Sequence, residues 1–306
     1  DAMRRLRQMI ESSFSLRMSL YILMVAASVF ILAFWGYFNQ ARNSVREEAM
    51  EQAQVKLDNV ILQIDKVLSS VETAVQNLSW LVADKLDYPD YMYALTQQVL
   101  RSNPHVVGSA IAFEPSYYAE KGVLFSPYSY RTEKGAIRSK QLGTEDYEYH
   151  YMDWYQIPKL LNKPYWSEPY FDNGGGEIMM TTYSKPLYDS NGKLYAVITA
   201  DLSLEWLTKL VGEIKAFDNS YNLMVSRNAS FIVHPIHDLI LNETIFSSTY
   251  GDKDESLKKM QDDMMNGKAG EVLRTKGDEK FFVFYSPVET TQWTVAIVCS
   301  KSELYK

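Results

Sequence analysis

A long uncharged segment near the start of the chain restricts its fold more than any other feature. Residues 18–38, MSLYILMVAASVFILAFWGYF, contain no Asp, Glu, Lys or Arg. As an α-helix that rises about 1.5 Å per residue, this segment spans roughly 31 Å, the thickness of a bilayer hydrocarbon core. It is longer than the apolar region of a cleaved signal peptide, and no small-residue cleavage site follows it. The sequence therefore predicts an uncleaved transmembrane helix.

The charges that flank this segment predict its orientation. Arginines precede it at positions 4, 5, 7 and 17, whereas Arg42 and Arg46 on the other side lie among glutamates. Because basic residues concentrate on the cytoplasmic side of a membrane, we expect residues 1–17 to be cytoplasmic and residues 39–306 to lie outside the cytoplasm. Trp35, Tyr37 and Phe38 then lie at the outer interface, where aromatic rings favour the headgroup level.

The composition of the chain predicts a folded exported portion and excludes several classes of function. The 306 residues are 46% hydrophobic and carry a net charge of -7, with no basic stripe beyond the N-terminal segment, so we expect no nucleic-acid partner. The single cysteine, Cys299, lies in the apolar run TVAIVC and is expected to be a buried small side chain. We find no catalytic motif and no metal-ligand spacing, and so predict no enzymatic activity, metal or cofactor in this chain.

Residues 39–86 predict a long helix that connects the membrane segment to the rest of the chain. No proline or glycine lies between residues 41 and 86, and apolar residues recur at heptad-like spacing. They are Leu57, Ile61, Ile64, Leu68, Val71, Val75, Leu78 and Val82, with a neighbouring stripe of Val60, Val67, Ala74 and Leu81. This pattern fits either a seam with a second copy, which predicts a homodimer, or a helix buried against its own domain.

The remaining residues predict an α+β fold with two modules. Residues 87–213 contain a short helix from Asp90 to Arg101, strands at 106–113, 123–130, 136–142, 177–186 and 193–201, and a helix capped by Ser203. Residues 214–306 repeat this order at shorter length, with strands at 221–226 and 230–234, a helix at 255–265 and three further strands. Antiparallel sheets with helices packed against them are the expected architecture.

This order of elements resembles the double Cache extracytoplasmic sensor domain of bacterial transmembrane receptors. AVITADLSLEWL at 196–207 resembles the strand-to-helix exit of the membrane-distal PAS-like module, and SFIVHPIHDLI at 230–240 resembles the His-Pro hairpin of the membrane-proximal one. The resemblance covers essentially all of residues 39–306. It implies a small-molecule sensor that lies outside the bacterial inner membrane and signals across it.

In that family, a subset that senses amino acids carries Tyr, then Arg-x-Trp-Tyr, then Tyr-x-Asp, then a later strand Asp. The matching positions, and the position where the motif is broken, are Tyr147, Met152, Trp154, Tyr155, Tyr170, Asp172 and Asp201. Met152 occupies the place of the arginine, which holds the ligand carboxylate in the family. The resemblance therefore implies that the acidic and aromatic half of the motif, which holds an ammonium group, is present without its carboxylate clamp.

The residues themselves favour the same chemistry. Nine aromatic and five acidic side chains lie between positions 146 and 172. Because aromatic faces and carboxylates both attract cations, such a lining favours a positively charged ligand. Asp201 ends an apolar strand, where an ionised carboxylate requires a partner. Two alternatives stay open: the rings pack a loop-rich face, or they stack on a carbohydrate.

Two further motifs predict turns instead of sites. Residues 172–177, DNGGGE, lack the lysine of a phosphate loop and the regular acidic spacing of a calcium loop, so we expect a hairpin. His234 and His237 are separated by Pro235, which favours a turn over a metal pair.

We therefore predict the sensor region of a receptor, with an amine-bearing small molecule as its ligand. The alternatives are a non-sensing membrane-anchored interaction domain and a sensor for a carbohydrate or an organic acid. The chain begins at Asp1 and stops just after a strand-like run, so we expect an output module beyond Lys306. That module is a histidine kinase, a chemotaxis signalling helix or a serine phosphatase, and the neighbourhood DWYQIPKLLNKPYWSEPYFD favours the phosphatase.

Overall fold

The computed structural model describes residues 14–173, 176–214 and 216–305. Most of the predicted cytoplasmic segment and the pair 174–175 of the predicted hairpin lie outside these ranges. The chain divides into two compact units, residues 1–52 with 304–306 and residues 53–303. Its helices are α1 (Phe14–Asp84), α2 (Met92–Ser102), α3 (Asp153–Leu161), α4 (Leu204–Gly212) and α5 (Glu255–Met265).

Helix α1 contains both the predicted membrane segment and the predicted connecting helix without a break. Within the described residues, it is the one helix whose length and composition suit a membrane span. The apolar side chains of its first part are exposed, as in Leu23 at 69% and Phe30 at 75%. Such exposure is what a lipid-facing helix requires.

The apolar stripe of α1 packs within the unit formed by residues 53–303. Leu57, Ile64 and Val71 are fully buried, and the rest of the predicted first stripe is buried as well. The single chain thus covers this face, as the interpretation of a helix buried on its own domain predicts. The exposed apolar side chains of this part of α1 lie elsewhere on the helix, at Val55, Leu62 and Trp80.

The first sheet, which we call the distal sheet, contains seven antiparallel strands in the order β3-β2-β1-β7-β6-β4, with β5 also paired to β6. Its strands are β1 (Val106–Phe113), β2 (Pro127–Arg131), β3 (Ile137–Gln141), β4 (Tyr165–Trp166), β5 (Tyr170–Phe171), β6 (Met179–Tyr188) and β7 (Leu194–Ser203). Helix α2 packs on β1 and β2, and α3 packs against β4, β6 and β7. The central strand β7 is buried over its first nine residues.

The second sheet, which we call the proximal sheet, has five antiparallel strands in the order β10-β11-β12-β8-β9. Its strands are β8 (Ser220–Val225), β9 (Phe231–Val233), β10 (Gly270–Lys276), β11 (Glu279–Val288) and β12 (Trp293–Ser300). Helix α5 packs on β10 and β11, while α4 contacts strands of both sheets. The predicted α+β fold with two antiparallel, PAS-like modules is confirmed.

Most local predictions agree with the structure. The Ser203 hydroxyl accepts a hydrogen bond from the Glu205 N–H at 3.1 Å, which makes Ser203 the N-cap of α4 as predicted. Cys299 is buried, and burial raises the pKa of its thiol to about 12. Strand β5 pairs with β6, so the chain reverses direction between them, as the predicted hairpin requires.

Two local predictions were incomplete. The strand predicted from Val123 begins only at Pro127, because the carbonyls of Val123 and Phe125 instead accept hydrogen bonds from Ser116 and Phe113 outside the ladder of β2. Helix α3 was not predicted at all. Its N-cap, Met152, offers no capping side chain, and Pro158 lies inside the helix, so the usual start and continuation signals are missing.

Candidate functional site

Asp201 lies at the centre of the candidate site, near the end of β7. The sheet register places it opposite Gly108 of β1 on one side and Thr182 of β6 on the other. Because side chains alternate along a strand, Asp201 shares its face with Val197, which is part of a buried aromatic cluster. Asp201 is only 5% exposed, so the strand carries its carboxyl group into the interior.

Gly108 makes room for this carboxyl group. A Cβ atom at position 108 would lie 2.4 Å from both Asp201 Oδ2 and the Tyr128 hydroxyl oxygen. Tyr128, on β2, therefore reaches Asp201 across β1 only because the intervening strand has no side chain there. The phenol forms a hydrogen bond with the Asp201 carboxylate.

A chain of hydroxyl groups approaches Asp201 from the other side. The Thr182 hydroxyl donates to Asp201 Oδ1 at 2.9 Å, and the Tyr170 hydroxyl lies 2.8 Å from Thr182 Oγ1. Since the one hydroxyl proton of Thr182 is directed at Asp201, Tyr170 must donate to Thr182. The result is a relay in which Tyr170 supports Thr182 and Thr182 supports the carboxylate.

The hydrogen bonds from these uncharged hydroxyl groups do not compensate for the cost of burying the Asp201 carboxylate. The pKa of the Asp201 carboxyl group is raised to about 7, first by burial and then by repulsion from Asp172, although the bonds from Thr182 and Tyr128 act in the opposite direction. Near neutral pH this carboxyl group is thus divided between its neutral and its charged form. A cation beside it would shift it to the charged form.

Asp172 is the second carboxylate of the site and follows β5 directly. Its Oδ1 accepts a hydrogen bond from the Tyr147 hydroxyl at 2.8 Å, and its Oδ2 accepts one from the Gly176 N–H at 2.6 Å. Burial raises its pKa above the ordinary value, while these two bonds and the charge of Lys140 act in the opposite direction. Asp172 is 7% exposed, so both carboxylates are withdrawn from bulk water.

Tyr147 connects Asp172 to the aromatic cluster. The Trp154 indole also forms a hydrogen bond with the Tyr147 hydroxyl, and burial beside Asp172 raises the pKa of this phenol far above its usual value. Trp154 stacks on Tyr149 with ring centroids 6.4 Å apart. Their neighbours therefore hold the Tyr147 and Trp154 rings in place, and the Tyr147 phenol stays protonated.

An ammonium group already lies on the aromatic rings at the edge of this site. The Nζ atom of Lys140 is 5.8 Å from the centroid of Tyr128 and 5.6 Å from that of Tyr130, and the two rings stack on one another. Cation–π contacts of this kind contribute about 0.5–2 kcal/mol each. The contact demonstrates that this aromatic surface accepts an ammonium group.

Five of the seven predicted site residues are connected, and Tyr155 and Met152 have other contacts. Hydrogen bonds and shared electrostatics bring together Tyr147, Trp154, Tyr170, Asp172 and Asp201. Tyr155 instead donates to Glu114 Oε1 at 2.5 Å, where Lys159 also binds at 2.7 Å, so its hydroxyl belongs to a separate ion-pair cluster. Met152 is half-buried and packs against the aromatic cluster. The role of all seven in ligand binding stays a prediction.

Sequence reasoning missed three residues that complete the geometry, Gly108, Tyr128 and Thr182. Each lies on a strand opposite Asp201 or one strand further, which only the sheet register reveals. The one local signal was the glycine inside β1, since a glycine in a strand often marks the close approach of another group.

Comparison with known proteins agrees with this architecture. Residues 92–209 match the model of a family described as methyl-accepting chemotaxis protein-like, first PDC sensor domain. Residues 92–209 are therefore similar to a PDC sensor domain. Helices α2, α3 and α4 and the whole distal sheet lie within or at the edges of this range.

Two curated relatives match the chain at low identity. The methyl-accepting chemotaxis protein PscA of Pseudomonas syringae pv. tomato is 22% identical over 287 residues, which cover 93% of this chain and 40% of PscA. PctB of Pseudomonas aeruginosa, also a methyl-accepting chemotaxis protein, is 24% identical over 74% of this chain and 33% of its own length. The chain thus spans less than half the length of the curated relatives that it matches.

Solved structures share the fold of most of this chain. The extracellular domain of the histidine kinase mmHK1S-Z3 is 25% identical, with a TM-score of 0.67 over 84% of this chain and 94% of that one. The ligand-binding domain of PctB in complex with L-Gln is 19% identical, with a TM-score of 0.57 over 85% and 92%. The predicted resemblance to double Cache sensor domains is confirmed. Sensor domains of chemoreceptors are not enzymes, and the matched family is of this kind.

Proposed function

We propose that this chain is the sensing region of a bacterial transmembrane receptor and that its distal module binds a small molecule through an ammonium group. Asp201 and Asp172 are the predicted anchors of the ammonium group, with Tyr147, Tyr170 and Trp154 around them. The proposal places residues 39–306 outside the cytoplasm.

The observation that carries this proposal is the presence of two buried carboxylates in one aromatic cluster. Asp201 has neutral hydroxyl groups as hydrogen-bond partners, and the charge that acts on it is the repulsive charge of Asp172. Keeping an ionised carboxylate in such a place costs free energy unless a cation compensates. A ligand ammonium group would recover this free energy, which favours its binding beside Asp201.

Met152 favours an amine over an α-amino acid. L-Gln, the ligand in the PctB structure, carries both an α-ammonium and an α-carboxylate group. Where the amino-acid motif has an arginine for the carboxylate, this chain has an uncharged thioether. A ligand carboxylate placed there would be desolvated without a charged partner, whereas a simple amine would not incur that cost.

The output of the receptor is part of the same proposal. Helix α1 runs unbroken from the candidate membrane segment to Asp84, which makes it the expected connector through which occupancy reaches the cytoplasm. The curated relatives are chemotaxis receptors, and this supports a chemotaxis signalling module more than the phosphatase favoured by the local sequence.

The test is a binding screen on the full 306-residue chain in lipid nanodiscs. Thermal unfolding would be recorded with primary amines, their matched alcohols, α-amino acids, organic acids and sugars. A ligand at about one hundred times its dissociation constant stabilises the folded state by about 2.7 kcal/mol. We expect amines to raise the unfolding temperature and the matched alcohols to leave it unchanged.

The variants Asp172→Asn and Asp201→Asn then examine the site. Each should abolish the amine-dependent shift, whereas Asp146→Asn, at an exposed carboxylate beside Tyr147, should retain it. Stabilisation by sugars or acids alone, or an amine shift that survives both variants, would refute the assignment. No response to any class would favour the alternative of a membrane-anchored interaction domain.

A further inference from the structure

A second cavity lies in the proximal module, away from the carboxylate pair. It has a volume of about 530 Å³, within the range of about 300–1,000 Å³ typical of small-molecule sites. Neither the sequence motifs nor the family match to residues 92–209 assigns a ligand to this part of the chain.

The inner walls of this cavity are apolar. They are formed by one face of the proximal sheet, by α5 and by the segment that follows β9. The residues that form these walls include Leu223, Phe231, Ile245, Met260, Val283 and Val298. All six are buried and belong to the core of the module, so the cavity penetrates the core and is no shallow surface groove.

Strand β10 places positive charge at the rim of this cavity. Its register with β11 puts Val272 opposite Val283 and Arg274 opposite Phe281. Because alternate side chains of a strand share a face, Val272, Arg274 and Lys276 lie on one face, and the last two line the cavity. The strand therefore leads from an apolar interior to a basic edge.

Not all hydrogen-bond donors of Arg274 have a partner in the part of the chain that the structure describes. One of its terminal nitrogens, Nη2, binds Asp252 Oδ2 at 2.7 Å. Its Nε–H is buried and has no hydrogen-bond partner among the described residues. A buried guanidinium donor without a partner costs free energy, and a bidentate acceptor such as a carboxylate would satisfy it.

His234 adds a neutral donor to the same cavity. Its Nδ1 accepts the Ile236 N–H at 3.0 Å, and burial lowers the pKa of the ring. The proton of the neutral ring is then on Nε2, which is left as a donor. The His-Pro hairpin, predicted as a turn, thus supplies a polar group to the cavity wall.

We propose that the proximal module binds an amphipathic monocarboxylate, with its carboxylate on Arg274 and its aromatic or branched aliphatic body in the apolar interior. This site is independent of the proposed amine site, and its ligand carries the opposite charge. One receptor chain then binds two chemically distinct small molecules, one in each of its two modules.

The test is isothermal titration calorimetry of the full chain in nanodiscs with three probes, phenylacetate, 4-methylpentanoate and octanoate. Uncharged amides of the same acids serve as controls for partition into lipid. We expect saturable binding of at least one carboxylate and none of its amide. If all three acids fail to bind saturably at millimolar concentration, the proposal is overturned.

Variants then locate the site. Arg274→Gln should weaken binding by about tenfold or more, and Arg274→Lys, which keeps the charge but not the fork, should weaken it less. Lys280→Gln removes an exposed charge that does not line the cavity and should bind as the wild type does. Equal affinity of wild type and Arg274→Gln would overturn the assignment.

A third variant tests whether the carboxylate binds inside the cavity or is attracted by charge elsewhere on the chain. Ser248 is exposed and lines the cavity, so Ser248→Trp should block entry without unfolding the module. Asp201→Asn should leave carboxylate binding unchanged, because Asp201 lies on the distal sheet. Binding that survives Ser248→Trp, or that Asp201→Asn abolishes, would place the carboxylate elsewhere and end the proposal, whatever the outcome of the amine screen.

Discussion

The buried carboxyl group of Asp201 predicts an unusual dependence of stability on pH. Its pKa is about 7 in the folded protein, compared with an ordinary value of 3.8. The folded state therefore holds this proton more tightly than the unfolded state does. Between those two values the free energy of unfolding must fall as the pH rises, and outside them the contribution is constant.

The size of the effect follows from the shift. Each unit of pKa difference corresponds to about 1.4 kcal/mol, so the two units between pH 5 and pH 7 amount to roughly 3 kcal/mol. For a domain of about 150–250 residues, 1 kcal/mol changes the unfolding temperature by about 2–4 °C. We thus expect Asp201 alone to lower the unfolding temperature by about 6–12 °C from pH 5 to pH 8.

The assay compares thermal unfolding of the wild type and of Asp201→Asn across this pH range in nanodiscs. Asparagine keeps the shape of the side chain and cannot ionise, so the variant should lack this part of the pH dependence and be the more stable protein at pH 8. The control Asp146→Asn, at an exposed carboxylate, should follow the wild type. If wild type and Asp201→Asn lose the same stability between pH 5 and pH 8, then burial does not raise this pKa and the reasoning fails.

Three further predictions follow from the geometry. Met152→Arg should shift the preference of the distal module from amines towards α-amino acids by about tenfold or more, as measured by calorimetry with paired ligands, and an unchanged preference would exclude position 152 from the site. Gly108→Ala should lower the free energy of unfolding, measured with denaturant, by about 1–3 kcal/mol, because its Cβ meets Asp201 and Tyr128. Gly192 has open space around it but lies in a strained turn, and Gly192→Ala should still bind amine. Leu62→Cys, on the exposed face of α1, should crosslink between copies if the chain forms the predicted homodimer, and Ile64→Cys, which is fully buried, should not; the reverse result would mean that α1 packs differently.

Periodicity predicted most of the fold because each element has one face that must be buried. The heptad-like stripe of α1 and the helix at 255–265 follow directly from apolar spacing, and both match the structure. The same pattern did not distinguish between a partner helix and the chain's own domain as the cover of that stripe, since both bury identical side chains. Only the three-dimensional structure decides that question.

The candidate site was predictable only where its residues are close in sequence or match a family motif. Tyr147, Trp154, Tyr170 and Asp172 fall within one segment, whereas Tyr128 reaches Asp201 from a strand more than seventy residues earlier, through the register of β1. Helix α3, which positions Trp154, has neither a capping side chain nor an uninterrupted helical pattern. Its formation depends on packing against β4, β6 and β7, and no local signal encodes that packing.

Under the two proposals, modules of similar architecture bind ligands of opposite charge. In each sheet, a charged residue follows apolar residues on the same face of a strand, Asp201 after Val197 on β7 and Arg274 after Val272 on β10. The apolar positions determine that a sheet forms and that its covered face can enclose a small molecule. We propose that the sign of this charge selects the ligand, because a buried charge is tolerated only with an opposite charge beside it. A single reversal of charge at either position should therefore exclude the present ligand class while the sheet itself is retained.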